Sequence, residues 1–164
     1  MQRLIAAALA FGLCFSAGAL KAERMRMKIK GIVALTDDLL TLETLLKYER
    51  LSVNGIVGRL TKQGRLTAFW ESMNGKLKDG LSFAGAFKAC ASQLHLDRET
   101  LLELEPFAQS FGSSDIKTEL SRLRLVNEKL AAGGQKLQKE LPNRIRLCRS
   151  LSSLLGAALA LLVL

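Results

Sequence analysis

The sequence predicts an all-α protein, a six-helix bundle between an N-terminal and a C-terminal transmembrane segment. Apolar residues make up 49% of the 164 positions, and most of them are Leu and Ala, which favour helices. The chain contains only two prolines, and no segment shows the sustained alternation of apolar and polar residues that a half-buried strand would have. This length is enough for one folded domain.

Uncharged apolar runs lie at both ends of the chain, at residues 4–20 and 151–164. As helices they would span roughly 25 Å and roughly 21 Å, against a bilayer core of about 30 Å. We predict that both cross a membrane. The shorter run would be helped by Arg149, whose side chain can reach the interface, or by local thinning of the bilayer.

Both runs have alternative interpretations. The first could be a cleaved signal peptide, with Arg3 as its charged start and residues 17–19 as its cleavage site. The second could be a buried core helix, and a signal peptide followed by an apolar tail is also typical of a lipid-anchor precursor. The basic residues that follow the first run favour anchoring, because the positive-inside rule keeps such clusters in the cytoplasm.

The net charge of +9 is concentrated beside the two apolar runs. Residues 21–30 and 136–149 each carry a net charge of +4, Arg3 adds one, and residues 31–135 are neutral. A nucleic-acid-binding protein would carry its basic residues on a face of the folded domain, so the charge distribution favours the lipid bilayer as partner and argues against nucleic acid. The predicted membrane-flanking residues are Lys21, Arg24, Arg26, Lys28, Lys30, Lys136, Lys139, Arg144, Arg146 and Arg149.

Small residues recur at four-residue spacing in both apolar runs. This spacing gives a helix a smooth face that lets another helix approach closely within a membrane. The predicted packing residues are Ala8, Gly12, Ser16, Ser152, Gly156 and Ala160. Together with the basic clusters, they predict a multi-pass protein of the cell membrane whose residues 21–149 form a helical cytoplasmic domain.

Apolar residues at three- and four-residue spacing predict the helices of this domain. The first helix ends near Arg50 and buries one apolar seam, formed by Ile32, Leu35, Leu39, Leu42 and Leu46. Asn54 and Gly55 are predicted to lie near a turn, and a short second helix is predicted to follow through Leu60. Gly64 separates that helix from a third, which ends at residues 78–80.

The second half of the domain contains clearer helix boundaries. Ser82 and Asp97 are predicted N-caps of the fourth and fifth helices. Pro106 should kink or shorten the fifth helix, because proline removes a backbone donor. Gly112 suits a left-handed residue after a helix end, and residues 113–115 can cap the sixth helix. The predicted seam of that helix includes Ile116, Leu120, Leu123, Asn127, Leu130, Gly134, Leu137, Leu141 and Cys148, with bends at Gly133, Gly134 and Pro142.

The sequence offers no pattern for catalysis or metal binding, so we predict neither enzymatic activity nor a cofactor. His95 is the only histidine, the three cysteines are widely spaced, and there is no Gly-rich phosphate loop. The carboxylate pairs Asp37 with Asp38 and Glu103 with Glu105 have no neighbouring nucleophile in the sequence. We interpret them as solvated positions on helix faces.

Three stretches carry a resemblance to a known family. They are residues 42–48 (LETLLKY), 80–87 (GLSFAGAF) and 107–115 (FAQSFGSSD), the last followed by a long helix, an Arg-rich stretch and a Leu-rich tail. In this order they resemble the stage III sporulation protein AB family over nearly the whole chain. The sequence lacks the proline of the family pattern near Ser52 and its glutamine within residues 117–119.

The resemblance implies a membrane subunit of the channel between mother cell and forespore in endospore formation. The family is similar to the F-type platform proteins of type II secretion, which implies contact of the helical domain with a secretion-type ATPase and with other channel subunits on the mother-cell side. Homo-oligomerisation stays open. An exported helical protein with a cleaved signal peptide and a generic membrane-anchored scaffold are the alternatives.

Overall fold

The computed structural model describes residues 2–49 and 51–163. Within these ranges, side chains are described except at residues 2–11, 13–15, 17, 149, 152, 155–157 and 159–163. The described chain is all-helical, as predicted, and contains no strand. Its helices are α1 (Gln2–Tyr48), α2 (Val53–Gln63), α3 (Thr67–Lys78), α4 (Phe83–Cys90), a 3₁₀ turn (Ala91–Leu94), α5 (Arg98–Ser110) and α6 (Ile116–Val163).

The chain divides into two compact units. The middle unit is Lys28–Gln135, and the end unit combines Met1–Met27 with Lys136–Leu164. The division falls inside α1 and α6, whereas the sequence predicts domain limits at residues 21 and 149. Residues 21 and 149 are predicted as the points where the chain enters the membrane. The division into compact units does not test this, so both limits stay predictions.

A single apolar core fills the middle unit. The predicted seam of α1 is buried, with Leu35, Leu39 and Leu42 no more than 2% exposed. Leu123 of α6 is fully buried against the same core. Burying a side chain of this size contributes about 1.5–3 kcal/mol, so these leucines stabilise the helical arrangement that carries the loops.

The predicted N-caps are confirmed. Ser82 and Asp97 accept hydrogen bonds from the backbone N–H groups of Gly85 and Thr100, at 3.2 Å in each case. Such caps satisfy backbone donors that the first turn of a helix leaves without partners. They explain why α4 and α5 begin where the sequence predicts.

The turn predicted near Asn54 and Gly55 lies just before them, at residues 51–52. Both residues lie in the first turn of α2, which begins at Val53. Ser52 caps this helix by accepting a hydrogen bond from the Gly55 N–H at 3.3 Å. The cap one residue before the helix therefore outweighs the turn preference of the Asn-Gly pair.

Neither proline ends its helix. Helix α5 continues past Pro106 to Ser110, and α6 continues past Pro142. Each proline leaves one carbonyl without its helical partner, and those carbonyls belong to Leu102 and Gln138, which are exposed. Because solvent can reach both carbonyls, the loss of one bond is tolerated.

The glycines predicted to bend the chain, Gly133 and Gly134, do not interrupt α6, which is continuous there. Gly134 is buried, and a methyl group on it would come within 2.9 Å of Ile32 Cγ2 of α1. The glycine therefore allows α1 and α6 to approach closely inside the middle unit. Ile116, predicted as a core residue, is 42% exposed at the start of α6.

The end unit contains the first part of α1 and the last part of α6. Ala22 is buried there, whereas four leucines are between 58% and 66% exposed: Leu20, Leu147, Leu151 and Leu154. In the part of the chain that the structure describes, no helix combines the length and the apolar character needed to span a membrane. The membrane segments at residues 4–20 and 151–164 are thus not confirmed and stay predictions.

Candidate functional site

Three interhelical connections of the middle unit meet at one end. We call this end, made of residues 51–52, 79–82 and 111–115, the loop end. Phe83 follows the second connection and its ring lies 4.6 Å from that of Phe111 in the third. Val53 follows the first connection and packs so closely on Gly112 that a methyl group there would come within 2.6 Å of Val53 Cγ2.

Apolar side chains are exposed around the loop end. Tyr48, at the end of α1, is 70% exposed, and Leu81 and Ile116 are 41% and 42% exposed. Exposed apolar groups that cluster beside loops are a common feature of protein–protein contact sites. Residues 76–80, at the end of α3, and residues 110–114, at the end of α5, belong to this same end of the middle unit.

Glu119 organises the third connection of the loop end. It is only 3% exposed, and its Oε1 accepts hydrogen bonds from the backbone N–H groups of Gly112 at 3.0 Å and Ser114 at 3.2 Å. Gly112 has φ +86°, the left-handed conformation predicted for it, which residues with a side chain rarely adopt. Asp115 caps α6 through the Thr118 N–H at 3.3 Å.

The second carboxylate oxygen of Glu119 has no hydrogen-bond partner among the described residues, although it is buried. Glu119 lines a cavity of about 350 Å³ between the first and third connections. The walls are otherwise apolar or neutral and are formed by Leu46, Leu51, Ser52, Val53, Ile56, Phe111, Gly112, Ser114 and Ile116. Because Ser52, Gly112 and Ile116 are exposed, the cavity reaches the protein surface.

Asp38 is a second buried carboxylate, and all of its hydrogen bonds are made within the protein. Its Oδ1 accepts from the Arg65 N–H at 2.5 Å, and its Oδ2 accepts from the Leu66 N–H at 3.0 Å and from Trp70 Nε1 at 2.6 Å. The side chain is 1% exposed, so its interpretation as a solvated position is wrong. Asp38 joins α1 to the start of α3, and both of its oxygens accept hydrogen bonds from within the chain.

The family comparison extends over nearly all of these elements. The model of the stage III sporulation protein AB family matches residues 3–164. The chain belongs to the stage III sporulation protein AB family. This membership is consistent with a role in sporulation. Neither the comparison with curated proteins nor the comparison with solved structures gave a match.

The stretches that carry the family resemblance lie together in the structure. Residues 42–48 end α1, residues 80–87 include the second connection of the loop end, and residues 107–115 include the third. Phe83 and Phe107 are in edge contact, with ring centroids 6.3 Å apart. The three stretches that carry the resemblance therefore all include residues at or beside the loop end.

Lys28, one of the ten predicted membrane-flanking residues, has a partner on another part of the chain that the sequence did not predict. Lys28 Nζ lies 2.5 Å from Asp97 Oδ2, and the lysine side chain is 23% exposed. Burial alone would raise the pKa of Asp97, but the hydrogen bonds from Lys28 and Thr100 and the positive charge of Lys28 together lower it below its ordinary value. Lys28 thus stabilises the start of α5 inside the middle unit.

The other basic flanking residues lie mostly on the surface. Arg26 and Arg144 form exposed ion pairs with Glu23 and Glu140 of their own helices, at 3.7 Å and 2.7 Å. The remaining described members are exposed, namely Lys21, Arg24, Lys30, Lys136, Lys139 and Arg146. The side chain of Arg149 lies outside the described residues. A membrane-flanking role stays a prediction for this group.

The structure describes few of the side chains that the sequence predicts to pack helices within a membrane. Gly12 and Ser16 are exposed, and a methyl group on Gly12 would meet nothing within 4 Å. The side chains of the other four lie outside the described residues: Ala8, Ser152, Gly156 and Ala160. Among the described side chains, no three His, Cys, Asp or Glu residues are grouped as a metal site would require.

Proposed function

We propose that this chain is a non-enzymatic membrane platform subunit of the channel complex between mother cell and forespore in endospore formation. Its middle unit would lie on the cytoplasmic, mother-cell side and contact other channel subunits and a secretion-type ATPase. The observation that carries the proposal is the family match over residues 3–164. Likeness to a family transfers function only weakly by itself, so the membrane role and the ATPase contact each need support from residues of this chain.

The surface of the end unit supports the membrane role. Leu20, Leu147, Leu151 and Leu154 expose apolar area that would cost free energy in water, at about 25 cal/mol per Å². Exposed basic residues lie within the same unit, namely Lys21, Arg24, Arg26, Lys136, Lys139, Arg144 and Arg146. Apolar side chains followed by Lys and Arg are the arrangement expected where a helix leaves the cytoplasmic face of a bilayer.

Cysteine labelling in intact cells tests the orientation. Ser92 is exposed in the middle unit, so a Ser92→Cys variant that lacks Cys14 and Cys148 carries a thiol that reagents can reach. Cys90 contributes little, because burial raises the pKa of its thiol more than nearby Lys76 lowers it. We expect labelling by an impermeant reagent only after the membrane is permeabilised.

Two outcomes would contradict the proposed orientation. Labelling of Ser92→Cys from outside intact cells would put the middle unit on the wrong side of the membrane. An intact mass that lacks about the first 19 residues would identify a cleaved signal peptide and favour the exported helical protein instead.

Vesicle binding tests the basic flanks. A fragment of residues 21–149, with its helicity checked by circular dichroism, should bind anionic vesicles at low salt. Replacing Arg24, Arg26 and Lys30 by Gln should weaken this binding about 100-fold, since each basic residue near an anionic leaflet contributes about 1 kcal/mol. Lys28 is left in place, because its loss would disturb the start of α5.

A matched variant removes the same charge from the middle unit. Lys62, Lys88 and Lys129 are exposed, and their replacement by Gln should leave vesicle binding within about threefold, because exposed charges act only over about 10 Å at 0.1 M salt. Equal weakening by the two triple variants would show that net charge, and not the flanks, drives binding.

The loop end supports the ATPase contact. It joins the three stretches that resemble the family and exposes Tyr48, Leu81 and Ile116. Changing these three residues to Ser should weaken binding of the purified sporulation ATPase to the full-length protein at least about tenfold, as loss of apolar anchors does at other interfaces. Leu102→Ser with Leu125→Ser is the control, since both leucines are more than half exposed on other faces.

A further inference from the structure

We propose that the cavity beside Glu119 receives a lysine or arginine side chain of a partner protein. The inference rests on the proposed function for the identity of that partner, because the loop end is the surface assigned there to the ATPase.

The charge balance of the cavity points to a cation. Among the residues that the structure describes, Glu119 is the one charged side chain that lines it. Its Oε1 is occupied by Gly112 and Ser114, while its Oε2 is buried and has no partner among the described residues. A buried charged oxygen without a partner costs free energy that a matching cationic donor would offset.

The walls suit a cation at the end of an aliphatic stem. Leu46, Val53, Ile56 and Phe111 offer apolar surface on the way to the carboxylate. Lysine and arginine cover such surface with their methylene groups and place the charge at the tip. A volume of about 350 Å³ is at the small end of the range of roughly 300–1,000 Å³ for ligand pockets.

Anions and divalent metals fit the cavity less well. The N-terminus of α2, which would attract an anion, is already capped by Ser52, and that of α6 by Asp115. Ser114 Oγ accepts a hydrogen bond from Arg122 at 3.1 Å. Ca²⁺ would need six to eight oxygen ligands, and the cavity offers one carboxylate.

Agmatine, which carries a guanidinium group on a short aliphatic chain, is the probe. The full-length protein in detergent micelles is titrated with it, and binding is followed by NMR at the amides of Gly112 and Ser114, which donate to Glu119. We expect saturable shifts in the wild type. Glu119→Gln should bind agmatine at least about tenfold more weakly, because the charge-assisted hydrogen bond is lost.

The glutamine variant is chosen because it preserves the loop. Its amide oxygen can still accept from Gly112 and Ser114, so the fold is retained. Glu105→Gln, on α5 and outside the cavity, should bind agmatine as the wild type does. The absence of saturable shifts in the wild type, or equal affinity in Glu119→Gln, would overturn the proposal and leave a water molecule as the partner of Oε2.

Binding of the purified ATPase separates this inference from the proposed function. Glu119→Gln should weaken ATPase binding at least about tenfold. Unchanged binding, together with loss of binding in the Tyr48, Leu81 and Ile116 triple variant, would overturn the inference and leave the proposed function standing. Failure of the wild-type protein to bind the ATPase would count against the proposed function. The agmatine titration would then be the test of whether the cavity binds a cationic side chain.

Discussion

Asp38 and Glu119 are both buried carboxylates of the middle unit, but they use their oxygens differently. Asp38 accepts three hydrogen bonds, which involve both oxygens and come from a backbone segment and an indole. Glu119 accepts two hydrogen bonds on one oxygen and leaves the other buried without a partner beside a cavity. Burial alone therefore does not identify a binding site, and the proposal made for Glu119 rests on its unused acceptor and the cavity beside it.

Removing the Asp38 carboxylate should have the largest effect. Asp38→Ala leaves three donors without an acceptor, at a cost of about 1–3 kcal/mol for each donor that stays buried. We expect the free energy of unfolding to fall by at least about 3 kcal/mol, measured by urea unfolding of the full-length protein in detergent with far-UV circular dichroism.

The neighbouring carboxylate supplies the control for this variant. Asp37 forms an ion pair with Arg65 at 3.0 Å, and both side chains are more than a third exposed. Exposed pairs of this kind contribute about 0–1 kcal/mol, so Asp37→Ala should change stability by less than about 1 kcal/mol. Similar losses in the two variants would refute the role assigned to Asp38.

Removing the Glu119 carboxylate should have a smaller effect. Glu119→Ala takes away the acceptor of the Gly112 and Ser114 N–H groups, which lowers the free energy of unfolding. It also removes a buried oxygen that has no partner, which raises the free energy of unfolding. We expect a loss of about 1–2 kcal/mol. Hydrogen exchange should accelerate at the Gly112 and Ser114 amides and stay unchanged at the Leu66 amide, and a general acceleration would contradict a local role.

Asp97 provides an intermediate case, because it is paired but partly exposed. Its pKa is lowered in the folded protein, so its contribution to stability is present above the ordinary carboxyl pKa of about 3.9 and is lost as the pH falls through the lowered value. Lys28→Gln should cost less than about 1 kcal/mol at neutral pH.

The pH dependence checks this assignment. Urea unfolding at decreasing pH should show the difference between wild type and Lys28→Gln disappearing once Asp97 is protonated in the folded protein. A difference that persists at acid pH would mean that Lys28 stabilises α5 through packing and not through its charge.

The smallest effect is expected on the exposed surface. Lys78 is exposed at the end of α3. Lys78→Ala should alter the free energy of unfolding by no more than a few tenths of a kcal/mol, as is usual for surface substitutions. The same urea experiment measures it, and a loss comparable to that of Asp38→Ala would show that the method does not separate buried from exposed positions.

Local patterns predicted the helices and their caps because the interactions concerned lie within four residues. The seam of α1, the caps at Ser82 and Asp97 and the left-handed Gly112 all follow from such spacing. Such spacing did not predict that α6 continues through Gly134. This glycine is needed because Ile32, which is far away in the sequence, packs closely against it.

The two buried carboxylates show the same limit. Asp38 lies three residues after Leu35 and four before Leu42, on the apolar seam, and Glu119 lies four residues before Leu123. A charged residue on an apolar seam is a signal that could have indicated burial. Spacing could not identify the partners, however, since the donors to Asp38 are 27 to 32 residues away along the chain.

Asp38 accepts hydrogen bonds on both carboxylate oxygens, whereas Glu119 accepts them on one. Two matched amide substitutions test this difference most directly. Asp38→Asn replaces an oxygen by a donor NH₂ group that must face another donor, so it should lower the free energy of unfolding by at least about 2 kcal/mol. Glu119→Gln can turn its NH₂ group toward the unused position, so it should change stability by less than about 0.5 kcal/mol. Equal losses in the two variants would contradict the account, because they would mean that both oxygens of Glu119 are already used within the folded chain.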